Sequence, residues 1–121
     1  MNIYYKQLEA KDAEVAHAIE VDSYPSDEAA SLTNIQARLE QAGDFFIGAF
    51  EQSNDTLIGF VNGTLTAQYE LEEKTMSLHD PNGVYLCIHS VVISQSHRKQ
   101  GIAKQMLKSY VQRVLELHVR L

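Results

Sequence analysis

His89 and the run His97-Arg98-Lys99-Gln100-Gly101-Ile102-Ala103 are the residues of this 121-residue chain whose types and spacing could do chemistry. The run follows a long apolar segment, residues 84–93, and leads into a strongly patterned helix. A strand, a basic glycine-containing turn and a helix N-terminus together make an anion site. The helix leaves its first four N–H groups without intrahelical partners, and its dipole places about half a positive charge at the same end. Phosphate oxygens satisfy both. Gly101 lets the backbone come close to a ligand because no Cβ intervenes, and Arg98, Lys99 and Lys104 add side-chain charge. Basic residues also occur at solvated turns with no ligand, and this turn taken alone leaves that reading open.

The histidine has its own chemistry. In a strand, positions two apart share a face, so Tyr85, Cys87, His89, Val91 and Ile93 are expected along one side. Histidine titrates near neutrality and is the natural general base there. A Cys87–His89 nucleophilic pair is a rival idea, but no third, orienting group is evident. A satisfied core histidine is the plain alternative for His89, and packing for Cys87. His79 and His97 read as surface or loop residues.

The elements that position these groups follow from pattern. Residues 2–7 alternate weakly as a first strand. Asp12 can cap a helix with Val15, Ala16 and Ile19 inward, and Ser23-Tyr24-Pro25 interrupts it because proline disfavours helix in the preceding residue. Asp27 or Ser31 starts a second helix, with Leu32, Ile35 and Leu39 inward, ending at Gly43. Residues 45–50 and 57–65 are strands joined by a turn at Ser53-Asn54-Asp55. Residues 70–80 read as a polar loop with a short helical turn, and Pro81-Asn82-Gly83 as a turn into the long strand. The last helix places Ile102, Ala103, Met106, Leu107, Tyr110, Val111, Val114 and Leu115 at i, i+3, i+4, i+7 spacing, leaving Lys104, Lys108 and Arg113 on or near the wet side. The order β-α-α-β-β-β-α predicts an α/β chain with a mixed sheet and helices packed on it. Residues 117–121 look like the start of another strand. A strand followed by a crossover helix normally returns to a parallel neighbour, so the domain is expected to be incomplete at its C-terminal end.

Composition bounds the classes. The length fits one domain, residues 1–121. No apolar run approaches the ~20 residues of a membrane span, and no signal peptide is visible. One cysteine excludes an internal disulfide framework and fits a reducing cytosol, so a cytoplasmic location is expected. Metal-ligand spacings are absent and no metal is assigned. The net charge of −6 hides two halves: residues 1–80 hold fifteen Asp/Glu against four Lys/Arg, and residues 81–121 hold one against six. Such asymmetry gives a basic side for a polyanion and an acidic side for a cation. The positive cluster is small and has no interleaved aromatic series, which argues against nucleic acid.

Arg98-x-x-Gly101-x-Ala103 after a long strand resembles the acyl-CoA signature of the GNAT (Gcn5-related N-acetyltransferase) superfamily, and the preceding elements match that fold in order. A narrower likeness lies upstream. Leu78-His79-Asp80-Pro81-Asn82-Gly83, the strand Leu86-Cys87-Ile88-His89-Ser90-Val91-Val92, and the loop Tyr24-Pro25-x-Asp27-Glu28-Ala29-Ala30-Ser31 resemble the arylalkylamine (serotonin) N-acetyltransferases and, more closely, their fungal polyamine-acetylating relatives. The resemblance implies a GNAT fold lacking its final strands and helix, and acetyl transfer from acetyl-CoA to a small primary amine. Backbone groups of Val91, Val92 and Ile93 would hold the pantetheine arm. The amides of Lys99, Gln100, Gly101, Ile102, Ala103 and Lys104 would bind the pyrophosphate beside Arg98. His89 matches the second family histidine and would help deprotonate the amine, and Cys87 stands in place of the first. Tyr24, Pro25, Asp27 and Glu28 would belong with Cys87 to the amine site. The family's general-acid tyrosine lies beyond residue 121, and Tyr110 does not occupy its position. The alternative is a shortened, non-catalytic relative that binds acetyl-CoA weakly or pairs with a partner chain.

Overall fold

The computed structural model describes residues 2–24, 29–66 and 85–117. A single sheet runs in the order β1 (Ile3–Gln7), β2 (Phe46–Glu51), β3 (Leu57–Thr66), β4 (Tyr85–Ile93), with every neighbouring pair antiparallel. Helices α1 (Ala13–Ser23) and α2 (Leu32–Ala42) come between β1 and β2, and α3 (Ile102–Leu117) follows β4. The predicted element order therefore holds over the described residues. The parallel neighbour expected after α3 falls on residues 118–121, outside them, and Leu117 itself closes the helix. The readings of residues 70–80 and of Pro81-Asn82-Gly83 also lie outside the described residues.

The two faces of the sheet carry separate cores. On one, Phe46, Phe50, Phe60 and Val92 pack with Ala16 and Ile19 of α1 and Ile35 of α2. On the other, Ile47, Val61, Leu65 and Ile93 pack with Ile102, Met106, Tyr110 and Val114 of α3. The alternation along each strand is what feeds both layers. The helical stripes are narrower than their periodicity predicted. In α1 the buried positions are Ala13, Ala16, Ile19 and Glu20, and Val15 is exposed because it points away from that stripe. In α3 strict i+4 spacing is buried, and Ala103, Val111 and Leu115 face outward. Asp12 accepts from the Glu9 N–H in a tight turn before α1 and makes no side-chain cap to that helix. Ser31, not Asp27, caps α2, its hydroxyl accepting from the Asn34 N–H at 3.1 Å.

Two strand details set up the site. Gly63 is required by close approach: a Cβ there would sit 2.7 Å from both the Cys87 carbonyl and the Tyr110 hydroxyl. Beside it the β3–β4 register slips, with Asn62 opposite Ser90 but Gly63 opposite Ile88. His89 is the extra residue of a β-bulge, the kind of irregularity that re-aims side chains.

Candidate acyl-transfer site

The bulge decides where His89 points. Val91 and Ile93 pack with the α3-side core and Val92 with the α1/α2-side core, as alternation requires. The extra residue then puts His89 and Ser90 together on the α1/α2 face. The expected single line Tyr85, Cys87, His89, Val91, Ile93 is therefore broken between His89 and Val91, because the bulge inverts the alternation at that point. Cys87 stays with His89: it is half-buried and lies opposite Thr64, whose Oγ1 is 2.8 Å from Nε2 of His89.

Around the histidine lies a polar cluster that pattern reading missed. Glu20, on the buried stripe of α1, is 1% exposed. Its carboxylate accepts from the Ser90 hydroxyl at 2.7 Å and from the Ala30 N–H. Burial lowers the pKa of Arg38 on α2, and the Glu20 carboxylate opposes that shift. Asn62 is 1% exposed on β3. Burial, reinforced by the Arg38 guanidinium, pulls the pKa of His89 down to about 4, so at neutral pH the ring is uncharged and can accept a proton. The signals were present in the sequence: a glutamate on an apolar helical stripe, and Asn62 and Thr64 two apart in an otherwise apolar strand.

The turn after β4 is built separately. Ser94 and Ser96 hydroxyls lie 3.0 and 2.9 Å from Nδ1 of His97, and Nε2 of His97 lies 2.6 Å from Glu51 Oε1. That contact holds the Glu51 carboxyl below its usual range. His97, read as a surface residue, is thus half-buried and ties the turn to the end of β2. Arg98 is exposed but bonded to the protein: Nε donates to the Ile93 carbonyl and Nη2 to Ser23 Oγ, both at 2.9 Å. These bonds tie the turn to the end of α1. Lys99 and Gly101 both have positive φ, 64° and 76°. Nothing lies within 4 Å of where a Gly101 Cβ would be, so the glycine serves the backbone conformation and leaves open space above it. The Gln105 N–H is bonded to the Gly101 carbonyl, which leaves the amides of Ile102, Ala103 and Lys104 as the helix's orphan donors. Lys99, Gln100, Ala103 and Lys104 are exposed; Ile102 is buried in the α3 core.

Residues 8–121 match the acetyltransferase (GNAT) family. The chain belongs to that family. No curated protein sequence matches it. Among solved structures it is similar to the loading GNATL domain of CurA from Lyngbya majuscula, with TM-score 0.86 and 14% identity over 97% of this chain and 60% of that one. It is also similar to diaminobutyrate acetyltransferase EctA from Paenibacillus lautus in complex with L-2,4-diaminobutyric acid and coenzyme A, with TM-score 0.71 and 22% identity over 98% and 62%. A phosphinothricin acetyltransferase from Sinorhizobium meliloti in complex with AcCoA gives TM-score 0.70 and 17% identity over 97% and 62%. At these identities the likeness carries the fold, and this GNAT chain spans about 60% of the length of the solved chains it matches.

The other expected amine-site residues divide. Tyr24 ends α1 in extended conformation, its N–H bonded to the Glu20 carbonyl, and packs half-buried against the α1/α2-side core. Pro25, Asp27 and Glu28 lie outside the described residues. Tyr110 donates its hydroxyl to the Phe45 carbonyl at 2.8 Å, and burial raises its pKa. It belongs to the α3 core and does not face the His89 cluster. No helix among the described residues is long and apolar enough to cross a membrane.

Proposed function

We propose that this GNAT chain is an acetyl-CoA-dependent N-acetyltransferase of small primary amines, of the arylalkylamine/polyamine kind, working in the cytoplasm. The observation that carries the reading is one continuous segment. β4 carries a bulge that aims a neutral histidine at the α1/α2 side, and beyond Ile93 the chain passes into a turn whose orphan amides and exposed lysines suit a pyrophosphate. Both halves of an acyl transfer, a base and an anion cradle, thus hang on one strand.

The outer edge of β4 and the turn beyond it suit coenzyme A. The outer edge of β4 has no neighbour among the described strands, so backbone groups along Val91, Val92 and Ile93 are available to the pantetheine arm. The turn at Lys99, Gln100 and Gly101 and the first amides of α3 would take the pyrophosphate. Catalysis is mostly positioning of thioester and amine. A primary alkylamine has a pKa near that of lysine, about 10, and must lose a proton as its nitrogen attacks. His89 would take that proton as the new C–N bond forms, and the thiolate released as the C–S bond breaks would take up a proton in turn, returning the ring to its neutral form. Tyr24 and Cys87, with Pro25, Asp27 and Glu28, would contact the amine.

Calorimetric titration with acetyl-CoA, followed by an amine screen, tests the reading. Micromolar binding with turnover on an arylalkylamine or a polyamine supports it. Binding without turnover on any amine points to a non-catalytic relative, and absence of both removes the assignment.

A further inference from the structure

Three polar side-chain atoms among the described residues are buried with no hydrogen-bond partner: Nδ2 and Oδ1 of Asn62, and Nδ1 of His89. They come together. Asn62 lies opposite Ser90, and the bulge sets His89 beside Ser90 on the same face. Thr64, two residues along β3 and on that face too, holds the other ring nitrogen of His89. Each orphan would be costly on its own, because a buried donor or acceptor without a partner forfeits its hydration. Orphans on one face, on neighbouring positions of paired strands, can share a small partner, and an internal water makes about three hydrogen bonds to such groups. The carboxamide sits opposite Ser90, whose hydroxyl bonds Glu20, in the polar part of a face that is apolar around Phe60.

We propose that Asn62 is a positioning residue for His89, its carboxamide and Nδ1 of the ring sharing one internal water between α1 and the β3–β4 bulge. This rests on the reading of His89 as the amine base. A water donating to Nδ1 puts the ring proton on Nε2, where Thr64 Oγ1 accepts it. Nδ1 is then the basic nitrogen, and its orientation is set from both sides. The proton it receives passes through the water, which gives one proton to Nδ1 as it takes one from the amine, so the relay is left unchanged.

Nuclear magnetic resonance on the ¹⁵N-labelled 121-residue chain tests this without relying on turnover. The wild type is expected to show magnetisation transfer from a long-lived water to the Asn62 side-chain amide protons, with the His89 lone pair on Nδ1. Asn62→Leu should abolish the transfer, move the Nδ1 resonance and push the His89 titration further down, because the charged ring loses its water. Asn62→Ser, which can still hold a water, should keep the Nδ1 resonance close to wild type. In turnover, Asn62→Leu should lower kcat roughly tenfold, the scale of one lost hydrogen bond, with KM for acetyl-CoA unchanged. No water transfer in the wild type, or an unmoved Nδ1 resonance in Asn62→Leu, overturns the inference; the wild-type measurement decides alone if the leucine variant fails to fold. Turnover that persists without the water signature sinks the role of Asn62 and leaves the acetyltransferase reading standing. An intact signature in a chain that acetylates no amine does the reverse.

Discussion

At the scale of single residues, the base is weaker than its residue type implies. A histidine near pKa 6.5 would be well matched to neutral pH, but burial and Arg38 bring His89 to about 4. The free-enzyme limb of kcat/KM belonging to this group is therefore expected near pH 4, and the rise between pH 6 and 9 should follow the amine substrate. Weak basicity also limits what removal costs. His89→Gln should lower kcat by about 10²-fold, the lower end for general-base groups, while calorimetry shows unchanged acetyl-CoA affinity. A limb at pH 6–7 that disappears in the variant would contradict the burial. The same shift is a stability statement. The folded-state pKa is depressed, so the unfolded chain binds the proton more readily and the contribution, full above pH 6.5, is lost as pH falls toward 4. Discounted for partial exposure, it is on the order of 2 kcal/mol. Denaturant unfolding of wild type and His89→Gln should thus differ in pH slope between 4 and 6.5, the wild type losing more.

The elements show what sequence could and could not tell. Strands β1 to β4, α2 with its serine cap, and the helix after Gly101 were all legible, because alternation, i+4 spacing and turn residues are local signals. The bulge was not. It depends on how β3 and β4 align across a long separation, and it cannot be seen in the alternation of either strand alone. Missing it placed His89 on the same face as Ile93 and hid its partner Thr64 and the nearby charge of Arg38. Arg98 has partners that its residue type does not disclose. As a residue type it advertises an anion contact, but its two 2.9 Å bonds run to the Ile93 carbonyl and to Ser23. Arg98→Lys keeps the charge and loses the fork, so it is expected to behave like Arg98→Ala, loosening the turn and lowering the melting temperature by a similar amount. An intact turn in the lysine variant would show that charge alone suffices. Gly101 gives the complementary test. A Cβ there meets nothing within 4 Å, so Gly101→Ala costs only the strain of φ 76°, about 1–2 kcal/mol. The melting temperature should drop by several degrees, and acetyl-CoA affinity should fall further than the stability change alone would give.

Over the whole molecule, net charge and local charge make opposite demands on the same ligand. The chain carries −6 overall, which taken as a point charge repels an anionic cofactor. The exposed turn and the start of α3 carry Lys99, Lys104 and Lys108, with all but one acid of the chain lying in residues 1–80. Screening acts over about 10 Å at 0.1 M salt and about 3 Å at 1 M. If the acidic body governed binding, added salt would strengthen the affinity for acetyl-CoA; if the turn governs it, added salt must weaken it. We expect weakening, several-fold between about 0.05 and 0.5 M monovalent salt. The double variant Lys99→Glu/Lys104→Glu should bind poorly at low salt and lose that slope. Lys11→Glu serves as the control, because it makes the same kind of charge reversal beside Glu9 on the tight turn before α1. It alters net charge as much per residue but should leave the slope in place. Affinity that rises with salt in the wild type, or a Lys11 variant that behaves like the turn variant, would mean that net charge controls binding and that the pyrophosphate does not sit at the N-terminus of α3.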